Sequence, residues 1–147
     1  MTLENLLAIH KLIIFTPTKA GIQKLLKAVE RNLKDAKIEE LSCDSRFDTA
    51  YKAIMQCAMI GLWANGYRTS TSQPGHHYTA IQVLPKTMGV LKDKVIVLDA
   101  LRKQRNLNDY EGDPISESAL SACIDEANEL YKHTIKWLKD NHSILLD

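Results

Sequence analysis

The chain has 147 residues, of which 45% are hydrophobic and 25% are charged, and its formal net charge at pH 7 is +1. This length is sufficient for a hydrophobic core that needs no disulfide or structural metal, and the composition is typical of an ordered globular protein. A net charge so close to zero excludes a broad basic surface for polyanions, so any nucleic-acid site has to be local.

The N-terminal region contains an apolar stretch over residues 6–15, which His10 and Lys11 interrupt. No small-residue cleavage site follows it, so the stretch is not expected to be a secretory signal peptide. No window in the chain reaches the roughly eighteen uninterrupted apolar residues that a membrane span needs. We therefore predict a soluble protein without a membrane segment.

The cysteines Cys43, Cys57 and Cys123 are an odd and widely spaced set without the close pairing of a zinc or redox motif. This pattern predicts reduced thiols and therefore a cytoplasmic protein. Cys57 and Cys123 fall on apolar helical faces, which favours a place in the core over a role as nucleophile.

Two amphipathic helices are predicted in the first half of the chain. The first begins at Pro17 with Thr16 as its N-cap, and apolar residues then recur at helical spacing. The second follows a capping-box pattern of Ser45 and Asp48 and ends at Gly66. Because apolar residues surround much of its circumference, we expect the second helix to be the central and most buried one.

Shorter elements are predicted in the middle of the chain. Residues 68–75 are rich in Ser and Thr and are expected to form a loop. A short helix over residues 76–84 should follow and should stop at Pro85. A further helix is predicted from Leu91 onward; the apolar residues 95–97 also suit a strand, but no neighbouring segment is available to pair with it.

The last predicted helix is long and begins after residues 112–114, with Ser116 as its N-cap and Ile115 placed to pack against Leu120. Together these elements predict an all-α fold: an antiparallel bundle of four or five helices with short connections and no sheet. The whole chain, residues 1–147, is interpreted as a single domain.

The most polar segment of the chain is residues 101–112, which combine cations, amides, a phenol and carboxylates. One interpretation is a solvated helix end, since Lys and Arg complement the dipole at a helix C-terminus and Asn and Gly suit its cap. The other interpretation is a functional site.

A resemblance to a known family supports the second interpretation, that this segment is a functional site. Arg105 and Asn106, followed after three residues by Tyr110, resemble the motif of the HEPN domain family, in which Arg and a polar residue precede a His at the end of an inner helix. Residues 47–59, the sequence Ala-Asn-Gly-Tyr-Arg at 64–68 and the paired histidines at 76–77 are similar to the family's early helix, its Gly-Tyr-Arg turn and the entry to its next helix. The resemblance covers roughly residues 45–138.

This resemblance implies a HEPN-like helical bundle that forms a homodimer and brings two copies of the motif around one cleft. It also implies a metal-independent endoribonuclease that needs no cofactor. Arg105 would stabilise the negative charge on the scissile phosphate, and Asn106 would orient that phosphate or the ribose. Tyr110 stands where nuclease members have a His that moves protons. A phenol is a weak base at neutral pH, so Tyr110 is expected to donate a hydrogen bond, to act as an acid or to pack.

The resemblance implies partners as well. Some HEPN proteins act as toxins beside a small nucleotidyltransferase-type antitoxin, and in certain pairs a Tyr next to the motif is the target of nucleotidylation. RNA, a nucleotide and such an antitoxin are therefore candidate partners, and Tyr110 is a candidate modification site by analogy.

Four further residues are candidates for substrate binding. Arg102 and Arg68 are candidate phosphate contacts, although Arg68 also suits a solvated loop. Asp48 is either the capping partner of Ser45 or an inward acid that fixes the guanidinium of Arg105. The fourth is His77.

The adjacent side chains of His76 and His77 diverge by about 100° in a helix and cannot easily hold one metal. Capping or exposure of these residues competes with a role in supplying an imidazole to the cleft. No metal-ligand spacing, glycine-rich phosphate loop or Gly-x-Ser-x-Gly motif is present. The competing functional hypothesis is a non-catalytic helical module that binds a nucleotide, RNA or a protein partner.

Overall fold

Four long helices form the body of the structure, a computed structural model that describes residues 2–72 and 74–146. In chain order the elements are α1 (Leu3–Ala8), β1 (Leu12–Ile14), α2 (Lys19–Asp35), α3 (Cys43–Ala64), β2 (Tyr67–Thr69), α4 (His76–Gln82), α5 (Leu84–Thr87), α6 (Lys92–Glu111), α7 (Glu117–Asn141) and α8 (Ser143–Leu146). The predicted predominance of helix is confirmed. The predictions for the whole chain and for the loop over residues 68–75 also include residues 1, 73 and 147, which lie outside the described residues.

The central helix is α3, as its apolar circumference predicted. More than half of its residues are buried, and it packs between α2 and α7. The thiols of Cys57 and Cys123 lie in this core and are fully buried, and all three cysteines are free. At Gly61 the neighbouring chain comes so close that an added Cβ would lie 2.9 Å from Cγ of Met88.

A small antiparallel sheet joins the N-terminal segment to the end of α3, so the prediction that no part forms a sheet was wrong. In this sheet β1 pairs with β2, with Ile13 opposite Arg68. Gly66, at a φ of +92°, turns the chain out of α3, and its carbonyl accepts the N–H of Phe15 at 2.9 Å. Each strand has only three residues, which is too short for an alternating pattern to be read from the sequence.

The start of α2 lies two residues after the predicted one. The helix begins at Lys19, and its N-cap is Thr18, whose hydroxyl accepts the N–H of Gly21. The predicted N-cap Thr16 and the predicted first residue Pro17 both precede it. Two threonines flank Pro17, and local sequence alone does not decide which of them caps the helix.

The start of α3 also differs from the prediction. The helix begins at Cys43, and the hydroxyl of Ser42 accepts the N–H of Ser45 at 3.1 Å. Ser45 is therefore inside the first turn, and the predicted capping box of Ser45 and Asp48 is wrong.

The segment around Pro85 forms two short helices where one was predicted. Helix α4 ends at Gln82, and α5 begins at Leu84 with Pro85 in its first turn. Proline is tolerated there because the first N–H groups of a helix need no intrahelical partner. Arg68 and Thr69, predicted in a loop, belong to β2.

The two long C-terminal helices agree with the predictions. Residues 95–97 are helical, and Ser116 caps α7 by accepting the N–H of Ala119 at 3.1 Å. The carboxylate of Asp44 accepts hydrogen bonds from Asn108 Nδ2 at 3.1 Å and from the N–H of Ile115 at 3.0 Å. These bonds hold the end of α6 and its connection to α7 against the start of α3. Among the described residues, no helix combines the length and the apolar character needed to cross a membrane.

Candidate functional site

A shallow polar groove of about 490 Å³ lies where the N-terminal end of α4 faces the second half of α6. Residues 75–78 line one side, and Arg102, Arg105, Asn106 and Tyr110 line the other. Arg105 and Asn106 follow Arg102 by three and four residues, and Tyr110 follows Asn106 by four. This spacing turns the four side chains toward the same side of the helix. The structure thus brings all three residues of the predicted motif to one groove.

Arg105 lies half-buried between two acids and an aromatic ring. Its Nε is 2.8 Å from Oδ2 of Asp109 and 3.9 Å from Oδ1 of Asp48. The Nε–H is not aligned with the Asp109 oxygen for a hydrogen bond, and the Asp48 oxygen is too distant for one, so both contacts are ion pairs without a directed bond. The guanidinium carbon lies 5.6 Å from the ring centroid of Tyr51, within the range of a cation–π contact.

Asp48 therefore lies beside Arg105 and not in a capping box, which was the second of the two alternatives for this residue. Its side chain is 51% exposed, whereas that of Asp109 is 33% exposed and closer to the guanidinium. Asp109 is the stronger local partner of Arg105, since exposed ion pairs contribute little.

Arg102 is the second cation of the groove, and its side chain is only 17% exposed. Its Nε donates a hydrogen bond to Oδ1 of the buried Asp99 at 2.8 Å. Its guanidinium carbon lies 5.2 Å from the ring centroid of Tyr78 on α4. Arg102 is thereby held against the opposite wall of the groove.

His77 enters the same groove from α4. Its Nδ1 lies 3.2 Å from the hydroxyl of Tyr51, a buried side chain of α3. Burial lowers the pKa of His77 to about 4, and the positive charges of His76, Arg105 and Arg102 act in the same direction. Burial also raises the pKa of Tyr51 to about 12. At neutral pH the pair is therefore an uncharged imidazole and an uncharged phenol.

Tyr110 and Asn106 lie toward the open side of the groove. Tyr110 is 77% exposed, and within the described part of the chain no hydrogen bond to its hydroxyl is formed. Asn106 is partly exposed. Both side chains are accessible to a molecule that enters the groove.

Arg68 is not brought to Arg105. It lies in an adjoining pocket of about 200 Å³ that also includes Trp63, His76 and His77. Its guanidinium carbon is 5.7 Å from the ring centroid of Phe15. The paired histidines border both spaces, so the pocket and the groove meet at the start of α4.

The sequence analysis did not single out Tyr51, Tyr78 or Asp109. The spacing along a helix could have pointed to two of them. Asp109 follows Arg105 by four residues and Tyr51 follows Asp48 by three, so each lies on the same helix face as a predicted site residue. Tyr78 had no such signal, because its contact with Arg102 joins different helices.

The groove has the means to bind an anion next to a planar group. Two guanidinium groups supply positive charge, an amide and an imidazole supply directional hydrogen bonds, and two tyrosine rings border the space. In residues 2–72 and 74–146, no cluster of three or more His, Cys, Asp or Glu side chains is placed to hold a metal ion.

Comparison with known proteins finds no match to a protein-family model, to a curated protein or to a solved structure. The HEPN resemblance therefore stays a prediction that depends on the motif residues and their spacing.

Proposed function

We propose that the groove binds the phosphodiester backbone of RNA and that the protein is a HEPN-type, metal-independent endoribonuclease that works as a homodimer. One observation supports this proposal above all. Arg102, Arg105 and the imidazole of His77 line the same groove, together with Asn106 and Tyr110. Guanidinium groups stay charged at all relevant pH values and can contact two phosphate oxygens at once.

Arg105 is held in a fixed position, which supports a role in stabilising the negative charge that develops on the phosphate during cleavage. Its contacts with Asp109 and the ring of Tyr51 restrict its movement before a substrate arrives. Cations that are already oriented need little reorganisation when negative charge builds up on the phosphate oxygens. In this proposal Asn106 orients the phosphate or the ribose.

The outer face of α6 supports the homodimer. Ile96, Ala100, Lys103, Leu107 and Tyr110 are all exposed and are spaced alternately by four and three residues. This is the spacing of a helix–helix seam, and we call these five residues the α6 seam. The seam ends at Tyr110, so a second copy of the chain packed on it would lie directly beside the groove.

The test is cleavage of mixed RNA by the purified protein in the presence of a chelator. We expect the wild type to cleave, and Arg105→Ala to lower the rate by about 100-fold or more, as expected for the removal of one preorganised charge-stabilising group. Arg31→Ala is the matched control, since Arg31 is an exposed cation of α2 outside the groove. Intact RNA with the wild-type protein would contradict the endoribonuclease proposal.

A second candidate function is a non-catalytic module that binds RNA, a nucleotide or a nucleotidyltransferase-type antitoxin. The exposure of Tyr110 at the mouth of the groove favours it, because an accessible phenol suits contact with a partner or modification by one. It predicts that wild type and Arg105→Ala both leave RNA intact while only the wild type retains binding. Filter binding with labelled RNA or nucleotide measures that difference.

A further inference from the structure

We propose that His77, and not Tyr110, is the catalytic residue that moves the proton in this groove, and that Tyr51 positions it. This inference deepens the endoribonuclease proposed above and rests on it.

The imidazole of His77 is held at the wall of the groove. His77 lines the groove opposite Arg105, and its Nδ1 is engaged by the hydroxyl of the buried Tyr51 at 3.2 Å. A hydroxyl can accept as well as donate, so Tyr51 can accept the Nδ1–H and leave the lone pair of Nε2 for a substrate. An imidazole whose one nitrogen is held by a second group is the usual arrangement of a histidine that works as a base.

Tyr110 is less suited than His77 to transfer this proton. Tyr110 is 77% exposed, and no other described side chain holds its hydroxyl in place. A group that transfers protons has to be fixed within hydrogen-bond reach of the reacting atom. His77 is held in the groove by Tyr51, whereas no described side chain holds the hydroxyl of Tyr110, so His77 is the better placed of the two.

Several charged and titratable groups surround His77. The groups that face it are Arg102 and Arg105 from α6, Tyr51 from α3 and its neighbour His76, with Tyr110 across the groove and Arg68 in the adjoining pocket. Without a ligand, burial and the charges of His76, Arg105 and Arg102 lower the pKa of His77 to about 4, so the imidazole is uncharged at neutral pH and has a lone pair that can accept a proton. A phosphate bound among the same cations offsets their charge and raises that pKa above its value in the free groove.

In the proposed reaction one proton moves from the ribose to His77 and then to the leaving group. The ribose 2′-oxygen attacks phosphorus and gives its proton to Nε2 of His77, the O2′–P bond forms, and the P–O5′ bond breaks. The imidazolium returns the proton to the departing 5′-oxygen. The products are a 2′,3′-cyclic phosphate and a 5′-hydroxyl, and no electron or additional reactant is required.

The experiment measures single-turnover cleavage of RNA in a chelator for the wild type, His77→Gln, Tyr110→Phe and Tyr51→Phe. We expect His77→Gln to lose about 100-fold or more in rate, the range for a missing acid–base group, and Tyr110→Phe to lose far less than His77→Gln. Binding of an all-deoxy oligonucleotide of the same sequence, which lacks the 2′-hydroxyl, should be retained by His77→Gln and shows that the variant is folded.

Tyr51→Phe tests the positioning role. We expect it to lower the rate and to move the acid limb of the pH–rate profile, because it removes the partner of Nδ1. A lower rate with an unmoved profile would mean that Tyr51 only supports the structure. In the wild type, addition of inorganic phosphate should raise the pH at which the ring C–H resonances of His77 titrate.

The outcomes separate the two proposals. If the wild type does not cleave RNA, the proposed function and this inference fail together. If the wild type cleaves and Arg105→Ala does not, but His77→Gln is fully active or Tyr110→Phe is inactive, only this inference fails. An unchanged His77 titration in phosphate would also overturn it.

Discussion

At the scale of single residues, His77 should make stability depend on pH. Its pKa is lowered from 6.5 to about 4 in the folded protein, so between these values the unfolded chain binds a proton that the folded chain does not. The contribution of His77 to stability is therefore complete above pH 6.5 and decreases as the pH falls toward 4. Urea unfolding of the wild type and His77→Gln from pH 4 to 8 measures this difference. Parallel stability curves for the two proteins would contradict it.

Gly61 offers a second prediction at this scale, in which two effects compete. Gly61→Ala places a Cβ 2.9 Å from Met88 Cγ and 3.1 Å from Thr87 Oγ1 in the core. Overpacking costs about 1–3 kcal/mol, whereas the gain in helix propensity is about 1 kcal/mol. We expect a net loss in the free energy of unfolding of about 1 kcal/mol by chemical denaturation.

Ala122→Gly on the exposed face of α7 calibrates the helix-propensity part of that experiment. A Gly61→Ala protein that is more stable than the wild type would show that Met88 moves aside without cost.

At the scale of secondary-structure elements, mutation can test that the N-cap of α3 is Ser42 and not the predicted Ser45. Ser42→Ala removes the hydroxyl that accepts the N–H of Ser45 and should lower the free energy of unfolding by about 1 kcal/mol. Ser45→Ala is the matched control and should be close to neutral, since Ser45 lies within the first turn and keeps its N–H. A larger loss for Ser45→Ala would restore the capping box inferred from the sequence.

The same segment shows why α3 positions the site so firmly. Asp44 in its first turn accepts hydrogen bonds from Asn108 near the end of α6 and from the N–H of Ile115 in the connection to α7. Tyr51, about two turns later, contacts both Arg105 and His77. One buried helix therefore sets the place of α6 and the orientation of the groove residues.

At the scale of the whole molecule, the α6 seam should mediate dimerisation. Ile96→Asp puts a charge at the N-terminal end of the seam, and the desolvation of that charge at a helix–helix contact is costly. We expect the wild type to sediment as a dimer and Ile96→Asp as a monomer in sedimentation velocity.

Ile144→Asp is the control for that experiment, because Ile144 is 84% exposed on α8 and lies outside the seam. It should leave the dimer intact. A monomeric wild type, or dissociation by both substitutions, would contradict the proposed interface.

Part of the fold was predictable because the signals are local. Helical periodicity identified the long helices, and Ser116 was correctly identified as a cap because its bond to Ala119 spans three residues. The errors at Thr16 and Ser45 arose where several hydroxyl residues stand near one helix start. The pairing of β1 with β2 was missed because it joins short segments more than fifty residues apart.

The candidate site, too, was predictable only in part. Arg102, Arg105, Asn106 and Tyr110 were found together because they are neighbours on one helix, and their common groove follows from that spacing. The sequence left open whether His77 enters the groove, and it gave no reason to connect His77 with Tyr51.

The sequence by itself determined a mostly helical protein with near-neutral charge and a polar segment at the end of one helix, since composition and periodicity depend on neighbouring residues alone. Only the tertiary structure decided that Arg68 lies apart from Arg105, and that a buried phenol of α3 meets an imidazole of α4. Those contacts depend on how the helices pack, and packing is a property of the whole chain.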